Sequence, residues 1–238
     1  MLPAFGFEGQ ERLLASRVLL VGAGGLGSSA GLYLAAAGIG HLAIADHDQV
    51  DLSNLQRQIL HQHGDLGRRK VESARQSLRA LNPDVRVTPI DERLAGARLD
   101  EQVQLADAVV DASDNFETRF AINEACVRYR TPLISGAAIR MEAQVAVFLP
   151  GKVESPCYRC LYREGEETEQ NCAENGVLAP VVGIIGSLQA LEAIKVLLDL
   201  GEILCGRLLV FDGMTMQWRS IRLRRDTACP VCSDRARS

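Results

Sequence analysis

No excess of positive charge runs through this sequence: 26 Lys and Arg stand against 30 Asp and Glu, a formal net charge of −4. That balance gives no electrostatic ground for a nucleic-acid partner or an anionic membrane surface. A secretory leader is also missing, since Met1 to Gln10 has neither a basic start nor an apolar stretch. The expected location is therefore cytoplasmic. There are no repeats, no low-complexity tracts and no long linker. A chain of 238 residues with 47% hydrophobic content can bury a full core as one α/β domain, expected to span 1–238. Its most apolar stretch, 177–200, carries Gln189, Glu192, Lys195 and Asp199 on one helical side and Pro180 with two glycines at its start. A buried amphipathic helix is expected there rather than a membrane span.

Four of the seven cysteines form two matched pairs, Cys157-Tyr-Arg-Cys160 and Cys229-Pro-Val-Cys232. Two such hooks supply the four thiolates of a closed structural Zn²⁺ site, with no position left for catalysis. The site would staple the C-terminal tail to a segment about seventy residues earlier. Disulfides, a redox pair and an iron–sulfur cluster are the alternatives. A reducing compartment disfavours disulfides, and the paired spacing favours zinc over a cluster. Cys126 and Cys205 have apolar neighbours and suit small core positions. Cys172, in a polar stretch with a glycine, is the one thiol considered for chemistry.

The chain opens with an apolar strand at 17–21, the turn Gly22-Ala-Gly24-Gly25-Leu-Gly27, a helical pattern to about Ala37, and a second strand at 41–45 that ends at Asp46. Strand, glycine turn, helix, strand and acid in this order make the mononucleotide-binding unit of a doubly wound sheet. Further strands are expected at 85–89, 108–111, 132–135, 143–148, 208–211 and 218–223, and helices at 68–81, 99–105, 116–129 and 181–200. Alternation in the first part predicts a mostly parallel, Rossmann-like sheet. Closer succession later predicts antiparallel strands at the C-terminal end. Asp46 suits ribose hydroxyls, so NAD and a dehydrogenase are the first reading.

The polar segment beyond Asp46 argues against it. Arg57, within that segment, and Lys70, which opens a helix after Gly67-Arg-Arg, suit a triphosphate better than hydride chemistry. Asp111 and Asp114 end another strand, where a carboxylate can hold Mg²⁺ against phosphates. Together these stretches resemble the prokaryotic ubiquitin-activating-like family of MoeB/ThiF/HesA type, which adenylates small sulfur-carrier proteins. The resemblance runs through Leu52-Ser-Asn-Leu-Gln-Arg-Gln58, Asp111-Ala-Ser-Asp-Asn115, Ser135-Gly-Ala-Ala-Ile-Arg140, both cysteine pairs and Ala179-Pro-Val-Val-Gly183.

The resemblance implies a homodimer of one α/β domain, with a nucleotide-binding half at about 1–130 and a carrier-binding and zinc half at about 131–238. It implies ATP at Gly22, Gly24, Gly27 and Asp46, phosphate contacts from Asn54, Arg57 and Lys70, and Mg²⁺ held by Asp114, the residue tied most directly to catalysis. The implied partner is a small carrier ending in Gly-Gly, whose carboxylate attacks the α-phosphate. That nucleophile is already ionised, so the lack of a Ser/His/Asp arrangement is consistent. His61 and His63 are expected to be solvated loop residues, since no further ligand pair accompanies them.

The carrier itself stays open: 135–141 and 71–75 look like the molybdopterin-pathway enzyme, 211–220 and 229–232 like the thiamine-pathway one. Sulfur is expected from a separate donor protein or through Cys172, which by resemblance bonds covalently to the carrier in the thiamine branch. A nucleotide-binding scaffold or an NAD-binding redox enzyme is the rival class. The family's N-terminal Arg-Tyr-x-Arg-Gln segment would precede Met1, and an arginine from it reaches the partner subunit's phosphates. The chain is therefore expected to belong to a longer form and to adenylate poorly alone. Arg12 and Arg17 lie in the following helix and strand, so neither is expected to replace a flexible arm.

Overall fold

The apolar runs at Arg17–Val21 (β1), His41–Ala45 (β2) and Ala108–Asp111 (β4) are buried almost throughout, as strands covered on both faces must be. In this computed structural model, which describes residues 5–163 and 176–233, they form the centre of one sheet. Arg86–Ile90 (β3) and Leu133–Ile139 (β5) extend it in parallel on either side. Glu142–Phe148 (β6), Arg207–Asp212 (β7) and Gln217–Arg222 (β8) continue it antiparallel. The order among the described residues is β3-β2-β1-β4-β5-β6-β7-β8. The mostly parallel sheet with an antiparallel C-terminal end is thus as expected, and it runs unbroken through both halves of the chain.

Helices cover both faces. Gly25–Ala37 (α2), Lys70–Leu81 (α3) and Ala179–Leu198 (α7) close one core with Leu20, Leu34, Ile44, Leu78 and Val145. Gly96–Gln104 (α4), Phe116–Tyr129 (α5) and the short Tyr158–Leu161 (α6) close the other with Leu19, Val109, Ile122 and Phe148. Gly6–Ala15 (α1) packs beside α7, where the Arg12 guanidinium donates to the carbonyls of Leu198 (3.0 Å) and Leu197 (2.6 Å). A cation capping a helix C-terminus satisfies carbonyls that have no partner within the helix. Arg17 is similarly engaged with Gln102 at 2.6 Å, so neither arginine is a free arm.

Two expectations change. The expected strand at 132–135 runs on to Ile139, because seven residues pair with β6. Gly136 permits this, since a Cβ there would lie 2.5 Å from the Gln189 side chain. The second concerns α7, which is not amphipathic in the expected sense. Gln189 and Glu192 are buried, not on a solvated side. Gln189 Nε2 donates to the carbonyl of Asp111 at 2.7 Å and that of Ile134 at 3.3 Å, tying the ends of β4 and β5. Glu192 accepts from Lys195 Nζ (2.5 Å) and from Leu204 N (2.8 Å). Most buried polar groups are paired in this way. By length and apolarity α7 is the one described helix able to cross a membrane. Half of that window is buried in the fold, where α7 packs on α2, β5 and β6.

Candidate functional site

From β1 the chain continues to β2 on one side and from β4 to β5 on the other, so the segments leaving the carboxyl ends of β1 and β4 part and open a crevice. The glycine turn sits there. Gly22 has φ +98°, and a Cβ on it would lie 2.6 Å from the Ala112 carbonyl oxygen. Only glycine fits both conditions. Gly27, in the first turn of α2, lies deeper: its Cβ would come 1.9 Å from the Gly22 carbonyl oxygen. It brings helix and turn together and is not among the residues lining the crevice. Gly27→Ala should therefore push the turn off the helix, costing about 1–3 kcal/mol as overpacking does. A melting curve of that variant at or above the parent's would contradict this.

A cleft of about 320 Å³ opens over the turn, lined by Gly22, Gly24, Asp46, Asn54, Arg57, Lys70 and Asp114. Residues widely separated in sequence thus meet around one space. The Asp46 carboxylate accepts from Ala23 N at 2.8 Å and Asp48 N at 2.9 Å. A carboxylate has further lone pairs for ligand hydroxyls. Lys70 is buried at the start of α3 and pairs with Asp48 Oδ2 at 2.8 Å. Burial alone would raise the Asp48 carboxyl, but the hydrogen bond and charge of Lys70 hold it below its ordinary value. Asp48 was not singled out from sequence.

Asn54 Oδ1 accepts from Arg57 Nη2 at 2.9 Å and from Gln58 Nε2 at 3.1 Å. Its orientation is set by both, and Nδ2, which has one contact with Ser53 Oγ at 3.4 Å, keeps a second N–H for a ligand. Gln58 was also overlooked. It is buried, lines the cleft, and its Oε1 has no hydrogen-bond partner among the described residues. Such an orphaned acceptor beside a ligand cleft awaits a donor. Its place directly after Arg57 in the polar segment was the available signal.

The two carboxylates after β4 divide. Asp111 is fully buried, taking Ser113 N (3.0 Å) and Ser113 Oγ (2.6 Å) on one oxygen and Ser135 Oγ (3.0 Å) on the other. Asp114 is exposed in the cleft wall, and among the described residues its one hydrogen-bond contact is Asn115 Nδ2 at 3.3 Å. Its oxygens are open to a cation. Asn115 caps α5 by accepting from Thr118 N at 2.9 Å. Arg119, one turn on, is buried beside the cleft with Nη2 donating to the Ser113 carbonyl at 2.8 Å.

The expected solvated pair of histidines splits likewise. His63 is exposed, but His61 is buried, with Nε2 2.9 Å from the Ala23 carbonyl oxygen and Nδ1 2.8 Å from Ser73 Oγ. Burial pushes its pKa below the ordinary value. Loop composition could not show this, because α3 supplies Ser73 and the glycine turn supplies the carbonyl.

At the far end of α5 the cysteine pairs converge. Cys157, Cys160, Cys229 and Cys232 place all four sulfurs within 4.8 Å of one another, with contacts of 3.9, 3.7 and 3.4 Å. A tetrahedral ion with metal–sulfur bonds of about 2.3 Å sets its sulfurs about 3.8 Å apart, so the set fits an ion of zinc's size. Asn123 of α5 donates to Cys157 Sγ at 3.7 Å and accepts from Tyr158 N at 2.8 Å. Cys172 lies outside the described residues.

The chain is 49% identical over 232 residues to the sulfur carrier protein ThiS adenylyltransferase of Escherichia coli K12, covering 98% of this chain and 92% of that one. It is 48% identical over 232 residues to the molybdopterin-synthase adenylyltransferase of the same organism, covering 98% and 93%. Among solved structures, that of E. coli MccB with ATP superposes with a TM-score of 0.82 at 27% identity, over 94% of this chain and 68% of that one. The ThiF family model matches residues 1–231. With the glycine turn, the charged cleft and the four-cysteine tail all drawn from that span but for its last cysteine, the chain belongs to the ThiF family.

Proposed function

We infer that this protein is an adenylyltransferase that uses ATP to activate the C-terminal carboxylate of a small ubiquitin-like sulfur-carrier protein. The observation that carries the reading is the cleft: a glycine turn, Asp46, Lys70, Arg57 and Asp114 surround one space of nucleotide-binding type. Membership of the family and two closely similar adenylyltransferases support it. A redox enzyme or an inert nucleotide-binding scaffold is not favoured by such relatives.

In the proposed reaction a carboxylate oxygen of the carrier's last glycine attacks the α-phosphorus. The bond to the β-phosphate oxygen breaks, and pyrophosphate leaves with the electron pair. The attacking group is ionised at neutral pH, so no general base is needed. Rate must come from alignment and from neutralising phosphate charge. Asp46 receives the ribose hydroxyls, and Asn54, Arg57 and Lys70 take the phosphates. Asp114 would hold Mg²⁺, which supplies charge neutralisation on the phosphates when bound. The four cysteines hold structural Zn²⁺, tying the tail to α5.

The protein works as a cytoplasmic homodimer. The partly exposed ridge of Ile184, Leu188 and Leu191, spaced along one face of α7, supports an apolar interface with a second copy. The carrier ends in Gly-Gly and belongs to the molybdopterin or thiamine pathway. Identities of 49% and 48% to one enzyme of each kind do not separate the two. Sulfur comes from a separate donor protein, with Cys172 as a second route.

Exchange of labelled pyrophosphate into ATP, measured with carriers of both kinds, tests the reading. Exchange that appears only when a Gly-Gly carrier is added is expected, and ATP binding without carrier-dependent exchange would favour the scaffold. Cys172→Ala should leave exchange unchanged. A carrier adduct trapped without reductant, and lost in that variant, would assign it the covalent role.

A further inference from the structure

The buried His61 does not line the cleft. We propose that it is a positioning residue: it sets the Ala23–Gly24 peptide of the glycine turn so that its N–H, and not its carbonyl, is offered to the phosphates. The inference rests on the nucleotide reading of the cleft.

A carbonyl oxygen only accepts, so the 2.9 Å contact between His61 Nε2 and the Ala23 carbonyl places a proton on Nε2. The neutral ring's Nδ1 is then an acceptor, 2.8 Å from Ser73 Oγ, and Asp65 Oδ2, 2.9 Å from the same hydroxyl, competes with it for the single hydroxyl proton. Asp65 is itself held by Gln62 N at 3.0 Å and by the Arg68 guanidinium. His61 is 5% exposed, Ser73 1% and Asp65 7%, so the relay is shielded from water over its whole length. Turning the ring would break both of its buried contacts at once.

Cis peptides are absent from the described residues, and a trans peptide directs its N–H opposite to its carbonyl. With the Ala23 carbonyl turned inward to His61, the Gly24 N–H faces the other way. Gly24 lines the cleft, and its N–H has no partner among the described residues. On the preceding peptide, Ala23 N is spent on Asp46. The Gly24 N–H is thus the first donor of the turn left for a ligand. A peptide flip would be cheap at this position, because Gly24 has no Cβ to resist the change in φ. It would replace a donor with a carbonyl oxygen facing anionic phosphate. His61 is what makes that flip costly.

The test is ATP and adenosine binding by calorimetry, with KM and kcat for ATP from carrier-dependent exchange. His61→Met removes both ring hydrogen bonds at similar volume. Its ATP affinity should fall about tenfold, the order for one charge-assisted hydrogen bond. KM should rise accordingly with kcat nearly unchanged, and adenosine, which has no phosphate, should bind as in the parent. His61→Gln, whose amide N–H can reach the Ala23 carbonyl, should recover most of the loss. Ser73→Ala, which frees the ring without touching the turn, should give a smaller loss in the same direction and decides the matter if His61→Met does not fold. Parent-like ATP affinity in His61→Met and Ser73→Ala, equal loss of ATP and adenosine, or no rescue by Gln would overturn the proposal. Lys70→Ala separates the two levels. If it too binds ATP normally, the cleft reading has failed; if only it loses ATP, the cleft reading stands and the role of His61 falls.

Discussion

Asp114→Ala should abolish carrier-dependent pyrophosphate exchange while leaving the melting curve near that of the parent. The side chain is exposed in the cleft wall, and its one hydrogen-bond contact among the described residues is the 3.3 Å approach of Asn115 Nδ2. Removing it takes away no buried partner, so the fold has little reason to respond. The reaction does, because one preorganised electrostatic contact to developing charge is worth about 2.7–4 kcal/mol, a loss of about 10²–10³ in rate. Loss of a bound metal would add to it. The neighbouring carboxylate supplies the contrast. Asp111→Ala strands Ser113 and Ser135 without their buried acceptor and should lower stability first, by about 1–3 kcal/mol. Near-normal exchange in Asp114→Ala would remove the assignment.

Cys229→Ser, or a strong chelator, should release the C-terminal tail. Among the described residues, contacts from that tail to the body include Arg225 donating to the carbonyl of Val153 at 3.1 Å and Asp226 N against Cys160 Sγ at 3.4 Å. These are modest contacts, and β8 before them is exposed along its length. Structural zinc contributes folding free energy directly, about 10–16 kcal/mol in small zinc peptides at neutral pH. If only ~3 kcal/mol of that is felt here, Tm falls by about 6–12 °C for a chain of this size. Elemental analysis of protein prepared without added metal should find about one zinc per chain. The loss should also reach the cleft. Asn123, which bonds both Cys157 and Tyr158, lies on the same helix, α5, as Asn115 and Arg119 at the cleft wall. A metal-free preparation of equal stability would sink the zinc assignment.

How much of this was legible beforehand divides along a physical line. Backbone periodicity and short motifs were written locally. The run Arg17–Val21, the glycines after it, Asp46 at the end of β2 and Asn82-Pro83 closing α3 each act through their own few neighbours. Their places could be read without a fold, as could the pairing of two CxxC hooks. The fate of individual polar groups could not. Asp111 and Asp114 are alike as letters; Ser113 on one oxygen and Ser135 from β5 on the other make the first a buried anchor, while the second is left open. Gln189 and Glu192 looked like the wet side of a helix until the ends of β4 and β5, and the Leu204 amide, came within reach of them. His61 looked like a loop histidine until α3 and the glycine turn closed on its two nitrogens. A strand or a helix is decided by interactions a few residues apart, and the sequence by itself determined those. Whether a polar side chain is solvent-exposed or structural depends on partners dozens of residues away, and that only the tertiary structure decided.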